Sequence, residues 1–252
     1  MGRQLATHHA RKDTRYEPDS GIHQGVIDTP PLRDEALVVF ARYPRPGLVK
    51  RRLASTIGDT AAADLCRAFL TDLRRRVADH ASWTTYWAFE PAESPFAEEI
   101  GGVGRCFPQE GQSLGERMEA AMAHALHSGH TSVVLIGSDI PHVPLGVLVE
   151  AFRCLAQGAD LVLGPAEDGG YYLIGARSVP PVFTAIRWSR SDVLTATVSA
   201  ARAAGIEPTI VSSCYDIDDR ASLERLKADI ATRRVEDLPA TRAALERVPL
   251  MR

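Results

Sequence analysis

Long apolar runs are missing from this sequence of 252 residues. No run approaches the roughly 20 residues needed to cross a bilayer, so we expect no membrane partner. Paired cysteines are also missing, since the four cysteines lie far apart and form no C-x-x-C pair. Such cysteines are typical of small buried side chains in a reducing compartment, which predicts a cytoplasmic protein. They are Cys66, Cys106, Cys154 and Cys214.

An excess of one charge is missing too. The net charge is −3 and the acids and bases are interspersed, so we expect no nucleic acid partner. The phosphate-binding signature G-x-x-x-x-G-K-[ST] and the dinucleotide signature G-x-G-x-x-G do not occur. The absence of H-E-x-x-H removes support for a zinc peptidase.

What the chain does have is enough apolar sequence, 45%, for one full core. Short buried strands alternate with amphipathic helices, which predicts an α/β fold with a parallel sheet. Residues 1–33 are polar and without period, so we predict a disordered N-terminal extension, a misassigned start codon being the alternative. No internal repeat or second core is evident, and residues 34–252 are predicted to form a single domain.

The strongest predicted strand is Val133–Ile136, which stops at Gly137 and is followed by Asp139. In open α/β sheets, ligands bind beyond the carboxyl ends of the strands. A carboxylate at that edge commonly binds a hard divalent cation, although capping of the next helix would also explain Asp139. Nearby His142 is interpreted as an exposed loop residue rather than an acceptor ligand.

A basic loop follows the first predicted strand, residues 36–40. Two prolines and a glycine predict that residues 41–53 form an extended loop rather than a helix. Five basic residues in eleven positions suit a polyphosphate, although a solvated surface loop is the alternative. They are Arg42, Arg45, Lys50, Arg51 and Arg52.

Three further segments carry candidate ligand-binding residues. Ser113 and Glu116 form a capping box for a helix, and the glutamine-rich turn before it either contacts a base or ribose or is a plain loop. Residues 166–170 contain paired glycines that let a backbone approach a ligand, unless they form only a hairpin turn. Residues 216–219 place three acids after the last strand. A cation site beside a phosphate-binding loop favours metal-assisted transfer from a nucleotide.

Five motifs in order, within residues 36–227, carry a family resemblance. They span residues 40–53, 114–118, 137–141, 168–173 and 216–218. The chain resembles the rSAM/selenodomain-associated transferase family, which is similar to phospholactate guanylyltransferase and to the nucleotide-diphospho-sugar transferases of the GT-A fold. The resemblance implies a three-layer α/β/α sandwich with a mostly parallel central sheet, a nucleotide donor, and Mg²⁺ or Mn²⁺ as cofactor.

The resemblance also implies residue roles. The implied catalytic residues are Asp139 and Lys50, and the implied metal ligands are Asp139, Asp216 and Asp218. The implied nucleotide-binding residues are Arg42, Gly47, Lys50, Arg52, Gln112, Leu114, Gly115 and Arg117. The implied substrate-binding residues are Glu167, Asp168, Gly169 and Gly170. The chain departs from the family pattern at Arg51, where threonine is usual, and in residues 219–222 after the last acid pair.

We therefore expect a metal-dependent transferase with a nucleoside triphosphate or nucleotide sugar as donor and a small-molecule acceptor. It would transfer a glycosyl group or a nucleotidyl group. A non-catalytic nucleotide sensor or scaffold is the alternative. A dehalogenase-type phosphatase is disfavoured, because such enzymes carry their aspartate pair near the start of the chain. A homodimer is compatible with the sequence.

Overall fold

The computed structural model describes residues 33–248, except 79, 102–104, 189, 233–234 and 236–237. The extension predicted for residues 1–33 therefore lies outside the described residues, apart from Arg33. The carbonyl oxygen of Arg33 lies 2.7 Å from His130 Nδ1, and its amide donates to Thr84 Oγ1 at 3.1 Å. In the described part of the chain, no helix has the length and apolar character to cross a membrane.

A seven-stranded sheet forms the centre of the domain, in the order β3-β2-β1-β4-β6-β5-β7. The strands are β1 Glu35–Arg42, β2 Trp83–Glu90, β3 Arg105–Pro108, β4 Ser132–Gly137, β5 Leu161–Pro165, β6 Tyr171–Ala176 and β7 Thr209–Ile210. Only β6 runs antiparallel to its neighbours β4 and β5, so the described sheet is mostly parallel, as predicted.

Seven α-helices surround this sheet in the described residues. They are α1 Arg51–Ile57, α2 Asp59–Val77, α3 Leu114–His127, α4 Leu145–Ala156, α5 Val193–Ala203, α6 Arg220–Ala231 and α7 Pro239–Arg247. A π-helical turn spans Ala97–Gly101, and a 3₁₀ turn spans Phe183–Ala185.

Alternating strand side chains bury both faces of the sheet. Leu37 and Val39 on β1 pack with the apolar faces of α2 and α4, whereas Ala36 and Val38 pack with α3 and α5. Full burial of one such aliphatic side chain contributes about 1.5–3 kcal/mol to the free energy of unfolding. The three-layer α/β/α sandwich with its mostly parallel sheet is therefore confirmed.

The predicted loop 41–53 is partly wrong, because α1 begins at Arg51. The extended segment ends at Lys50, the only described non-glycine residue with a positive φ, 48°. Propensity favours a helix once the prolines have been passed, and Leu53, Ala54 and Ile57 give it a buried face. The last basic residues of the loop therefore sit at the start of a helix.

Helices α6 and α7 form an outer group against α1 and the far side of α2. The Asp72 side chain on α2 is buried and accepts hydrogen bonds from the amides of Ala240 at 3.1 Å and Thr241 at 2.7 Å. These amides belong to the first turn of α7, which has no earlier carbonyls to bond. A side chain distant in sequence thus fixes the start of the last helix.

Candidate functional site

The candidate site lies at the edge of the sheet where β1, β2, β4 and β5 end. Because β6 runs antiparallel to β5, the turn that joins the two strands lies at that same edge. The backbone amide of Ile217 donates to the carbonyl oxygen of Asp139 at 3.0 Å. This bond joins the loop after β4 to the acidic segment before α6, so the predicted residues of distant motifs meet.

Lys50 lies at the centre of the site. Its Nζ is 2.6 Å from Asp139 Oδ1 and 3.1 Å from Asp218 Oδ1. The Lys50 side chain is only 3% exposed, whereas that of Asp139 is 45% exposed. Burial acts to lower the pKa of Lys50, but the two carboxylates outweigh burial and raise the pKa, so the ammonium stays charged.

The backbone at Lys50 explains how this side chain enters the site. Its φ of 48° and ψ of 44° are left-handed, and it directly precedes the first turn of α1. Residues other than glycine rarely adopt this conformation, and such residues cluster at functional sites. Arg52, two positions on, is largely exposed and donates to Asp218 Oδ2 at 2.7 Å.

The carboxylates of this cluster differ in their partners. Lys50 and Arg52 overcome the effect of burial on Asp218 and lower its pKa. Asp216 has no hydrogen-bond or ion-pair partner within the described residues. Burial, followed by repulsion from Asp139 and Asp218, raises the pKa of Asp216 to about 7. The cluster thus contains one carboxyl group that no cation of the described residues contacts directly.

No group of three His, Cys, Asp or Glu side chains in the described ranges is arranged to hold a metal ion. The predicted ligands Asp139 and Asp218 instead share the Lys50 ammonium. Their donor chemistry still suits a hard divalent cation, because all three predicted ligands offer carboxylate oxygens. Within the described residues, no cationic side chain contacts the carboxylate oxygens of Asp216.

Two adjoining clefts flank the cluster and share Arg52, Asp168, Asp216 and Asp218. The larger has a volume of about 580 Å³, and its other lining residues are Leu114, Met118, Gly170, Tyr171, Trp188, Arg190, Ser191 and Val193. The smaller, about 350 Å³, is completed by Glu167, Tyr215, Asp219, Ala221, Ser222 and Arg225. Small molecules could therefore approach the carboxylates from two sides.

The turn at 166–170 is the hairpin that joins β5 to β6, so the structural alternative for Asp-Gly-Gly is correct for its backbone. Asp168 Oδ1 accepts from the Gly170 amide at 3.0 Å. Gly169 has a φ of +91°, and a Cβ there would lie 1.9 Å from the Ser191 carbonyl oxygen. Glu167 pairs with Arg225 at 2.6 Å. The turn nevertheless lines both clefts, as a substrate-binding segment would.

Two of the other predicted nucleotide-binding residues, Arg42 and Arg117, meet at Glu90, at the end of β2. Arg42 donates through Nε to Glu90 Oε1 at 2.6 Å, and Arg117 Nη1 contacts Glu90 Oε2. Arg42 also lines a smaller cleft of about 240 Å³ with Leu48 and Glu90. Glu90 was not predicted as a site residue, because its sequence context indicates only the end of a strand.

The predicted residues at the start of α3 are also explained by helix capping and close packing. The capping box is confirmed: Ser113 Oγ accepts from the Glu116 amide, and Glu116 accepts from Gln112 and Ser113. A Cβ at Gly115 would lie 2.5 Å from Trp188 Nε1, so glycine permits this close packing. Leu114 is exposed in the larger cleft. Gly47 lies in the loop with a φ of +79°.

Sequence reasoning missed the aromatic wall of the larger cleft. Tyr171 and Trp188 meet edge to face with ring centroids 6.3 Å apart, and Arg190 beside them pairs with Asp192 at 3.1 Å. Tyr171 precedes the apolar run of β6, and Trp188 lies in an irregular turn. No signal in the sequence brings these two residues together.

The interpretation of His142 as an exposed residue is wrong. It is buried, 4.2 Å from the Tyr215 ring by centroids, and its Nε2 lies 3.5 Å from Cys214 Sγ. Burial, helped by the Arg76 charge, lowers the pKa of His142 to about 4. The segment after Asp139 folds inward because Ile140 and Val143 are fully buried.

Comparisons with known proteins bear on the family and the fold of this chain. Residues 73–190 match the family described as an uncharacterized protein conserved in bacteria, DUF2064. A Desulfovibrio desulfuricans G20 protein proposed to be a nucleotide-diphospho-sugar transferase is 33% identical, with a TM-score of 0.75 over 86% of this chain and 99% of that one. No protein of curated function is significantly similar in sequence.

Two more distant structures share the fold. A cytidylyltransferase from Leptospira borgpetersenii serovar Hardjo-bovis (strain JB197) is 13% identical, with a TM-score of 0.52 over 85% of this chain and 93% of its own. CMP:2-keto-3-deoxy-manno-octonic acid synthetase complexed with CTP is 12% identical, with a TM-score of 0.50 over 79% of this chain and 99% of its own. The narrower resemblance to the rSAM/selenodomain-associated family remains a prediction.

Proposed function

This chain belongs to the same family as the Desulfovibrio desulfuricans G20 protein, and from that membership we propose that it is a transferase that uses a nucleotide donor. The donor is a nucleoside triphosphate or a nucleotide sugar, and the acceptor is a small molecule. The observation that carries the proposal is the convergence of Lys50, Arg52, Asp139, Asp216 and Asp218 at the edge of the sheet where two clefts meet.

Lys50 and Arg52 bind the donor phosphates. Both lie where the basic loop enters α1, beside the carboxylate cluster. The exposed Arg52 side chain presents a planar fork of donors that suits phosphate oxygens. Arg42 and Arg117, held together by Glu90, would bind the remainder of the nucleotide.

A divalent cation, Mg²⁺ or Mn²⁺, is part of the proposal. Asp139 and Asp216 would hold it, with Asp218 as the third carboxylate, and the lack of a direct cationic partner for Asp216 among the described residues supports this assignment. When bound, such an ion offsets the charge that develops on phosphate oxygens. The chain itself binds the donor, orients it against the hairpin turn at 166–170, and contacts the acceptor from the clefts. The separated thiols support a cytoplasmic setting.

The test is a screen of nucleoside triphosphates and nucleotide sugars with Mg²⁺ or Mn²⁺ and pooled small-molecule acceptors, with products identified by mass spectrometry. Release of pyrophosphate would identify nucleotidyl transfer, and release of a nucleoside diphosphate would identify glycosyl transfer. Tight nucleotide binding without turnover of any donor would favour the sensor or scaffold. Absence of nucleotide binding would overturn the proposal.

A further inference from the structure

We propose that Lys50 is a built-in counter-ion that occupies the carboxylate cluster in place of a divalent cation and leaves it when nucleotide phosphates arrive. This inference rests on the proposed nucleotide-donor function and specifies how its cation site is controlled. Its consequence is that the cation and the nucleotide bind together, while the cation alone binds weakly.

The first step is competition for the same oxygen atoms. Lys50 Nζ contacts one oxygen of Asp139 and one of Asp218, at 2.6 and 3.1 Å. A divalent cation coordinated by these carboxylates would need those oxygens and would be repelled by an ammonium at the same place. The two cations therefore exclude each other from the cluster.

Lys50 is suited to this role, whereas its basic neighbours Arg51 and Arg52 are not. Among the three carboxylates, Arg52 contacts Asp218, through the other oxygen, and its side chain is 69% exposed. Arg51 is exposed and contacts none of the three carboxylates within the described residues. An ammonium is a compact point charge on a flexible stem, so it can fill a cation position and also turn away.

The third step is the release of Lys50. Phosphates bound beside Arg52 offer oxygen acceptors to the ammonium, which then no longer neutralises Asp139. Asp216, which has no partner among the described residues, completes a set of carboxylates for the incoming cation. Since coupling between two binding sites is reciprocal, the cation must in turn strengthen nucleotide binding.

The decisive experiment measures Mn²⁺ binding to the full chain without nucleotide, from the electron paramagnetic resonance signal of free Mn²⁺. Lys50→Met should bind Mn²⁺ about 10-fold tighter than wild type or more, within the range usual for coupled sites. Arg51→Met is the matched control, because it removes the same charge one position away and should stay within about 2-fold of wild type. Equal or weaker binding by Lys50→Met, or no binding by either protein, would overturn the inference.

A second measurement uses unaltered protein, in case Lys50→Met fails to fold. The chain has three lysines, Lys12, Lys50 and Lys227, so reductive methylation can be followed at each by mass spectrometry. At the Mn²⁺ concentration that half-saturates wild type, methylation of Lys50 should accelerate several-fold, because the buried ammonium is displaced. Lys227, which pairs with Glu224 on α6, should be unaffected. No change at Lys50 would overturn the inference.

These outcomes are separate from those of the product screen. Equal Mn²⁺ affinities together with metal-dependent turnover would overturn only the role of Lys50. Tighter Mn²⁺ binding by Lys50→Met with no turnover of any nucleotide would support the counter-ion and leave the proposed transferase without support.

Discussion

The backbone amide of Ile217 donates a hydrogen bond to the carbonyl oxygen of Asp139 at 3.0 Å. The two residues are far apart in the chain, and the strands that precede them, β4 and β7, are not neighbours in the sheet. Because the bond uses only main-chain atoms, it places the acids of both segments together whatever their side chains are.

In the absence of a divalent cation, Lys50→Ala and Arg52→Ala should each weaken nucleotide binding by roughly 1.5–3 kcal/mol, the usual range for hydrogen bonds to charged groups. Calorimetric titration with the donor found in the screen measures this. Arg51→Ala is the control, since its side chain is exposed outside the cluster. Unchanged affinity in both variants would support the alternative that the basic loop is a solvated surface loop.

Two neighbouring aspartates should change stability in opposite directions. Without metal at pH 8, Asp216→Asn should raise the free energy of unfolding by roughly 1–3 kcal/mol, because it removes a charge that burial and repulsion from Asp139 and Asp218 disfavour. Asp218→Asn should lower it by roughly 0.5–1 kcal/mol, because Lys50 and Arg52 lose a partner. Urea denaturation in the presence of EDTA measures both changes. The same sign in both variants would contradict the observed pairing.

His142 should make stability depend on pH. Its pKa is lowered to about 4 in the folded protein, from 6.5, so below pH 6.5 the unfolded chain binds a proton that the folded chain does not. Stability is therefore complete above about pH 6.5 and is lost as the pH falls towards 4, by roughly 3 kcal/mol. His142→Gln should lack this component, and the difference between the two urea-denaturation curves measures it. A difference independent of pH would contradict the burial of the neutral ring.

Gly169→Ala should destabilise the protein by at least about 2 kcal/mol, from a left-handed backbone and a clash. A Cβ at Gly169 would overlap the Ser191 carbonyl oxygen at 1.9 Å. Gly158→Ala is the matched control, because Gly158 also has a positive φ, +105°, but no atom lies within 4 Å of the position that an alanine methyl group would occupy. It should cost only about 1–2 kcal/mol. Equal losses in thermal denaturation would mean that the contact with Ser191 is absent.

Removal of residues 1–32 should leave the melting temperature unchanged, because their polar composition cannot bury enough apolar surface to order them. Removal should stop before Arg33, whose carbonyl oxygen contacts His130. A fall of several degrees in thermal denaturation would show that the extension packs on the domain. Removal of residues 1–34 serves as the comparison, since it also deletes the Asp34 carbonyl that accepts from Thr131.

The sequence predicted the features that depend on local pattern. Buried strands such as Val133–Ile136 and the capping box at Ser113 are encoded within a few residues and were found. The ion pairs of Lys50 were not predictable, because charge alone does not tell an inward lysine from a solvated one. The burial of His142 and the meeting of Tyr171 with Trp188 depend on packing between distant segments. Helix α7 was missed, because its apolar pattern is weak and its start is fixed by Asp72.

That contact of Asp72 makes the two chain ends unequal for protein engineering. A tag or fusion partner at the amino end adds to a segment that precedes the first described contacts. Shortening from the carboxyl end that reaches α7 would instead remove both amide donors of Asp72 and uncover the apolar cluster that Leu238 and Ala244 close. Exposed apolar surface costs about 25 cal/mol per Å². Carboxyl-terminal trimming by a protease should therefore destabilise the domain, whereas amino-terminal trimming should yield a stable core.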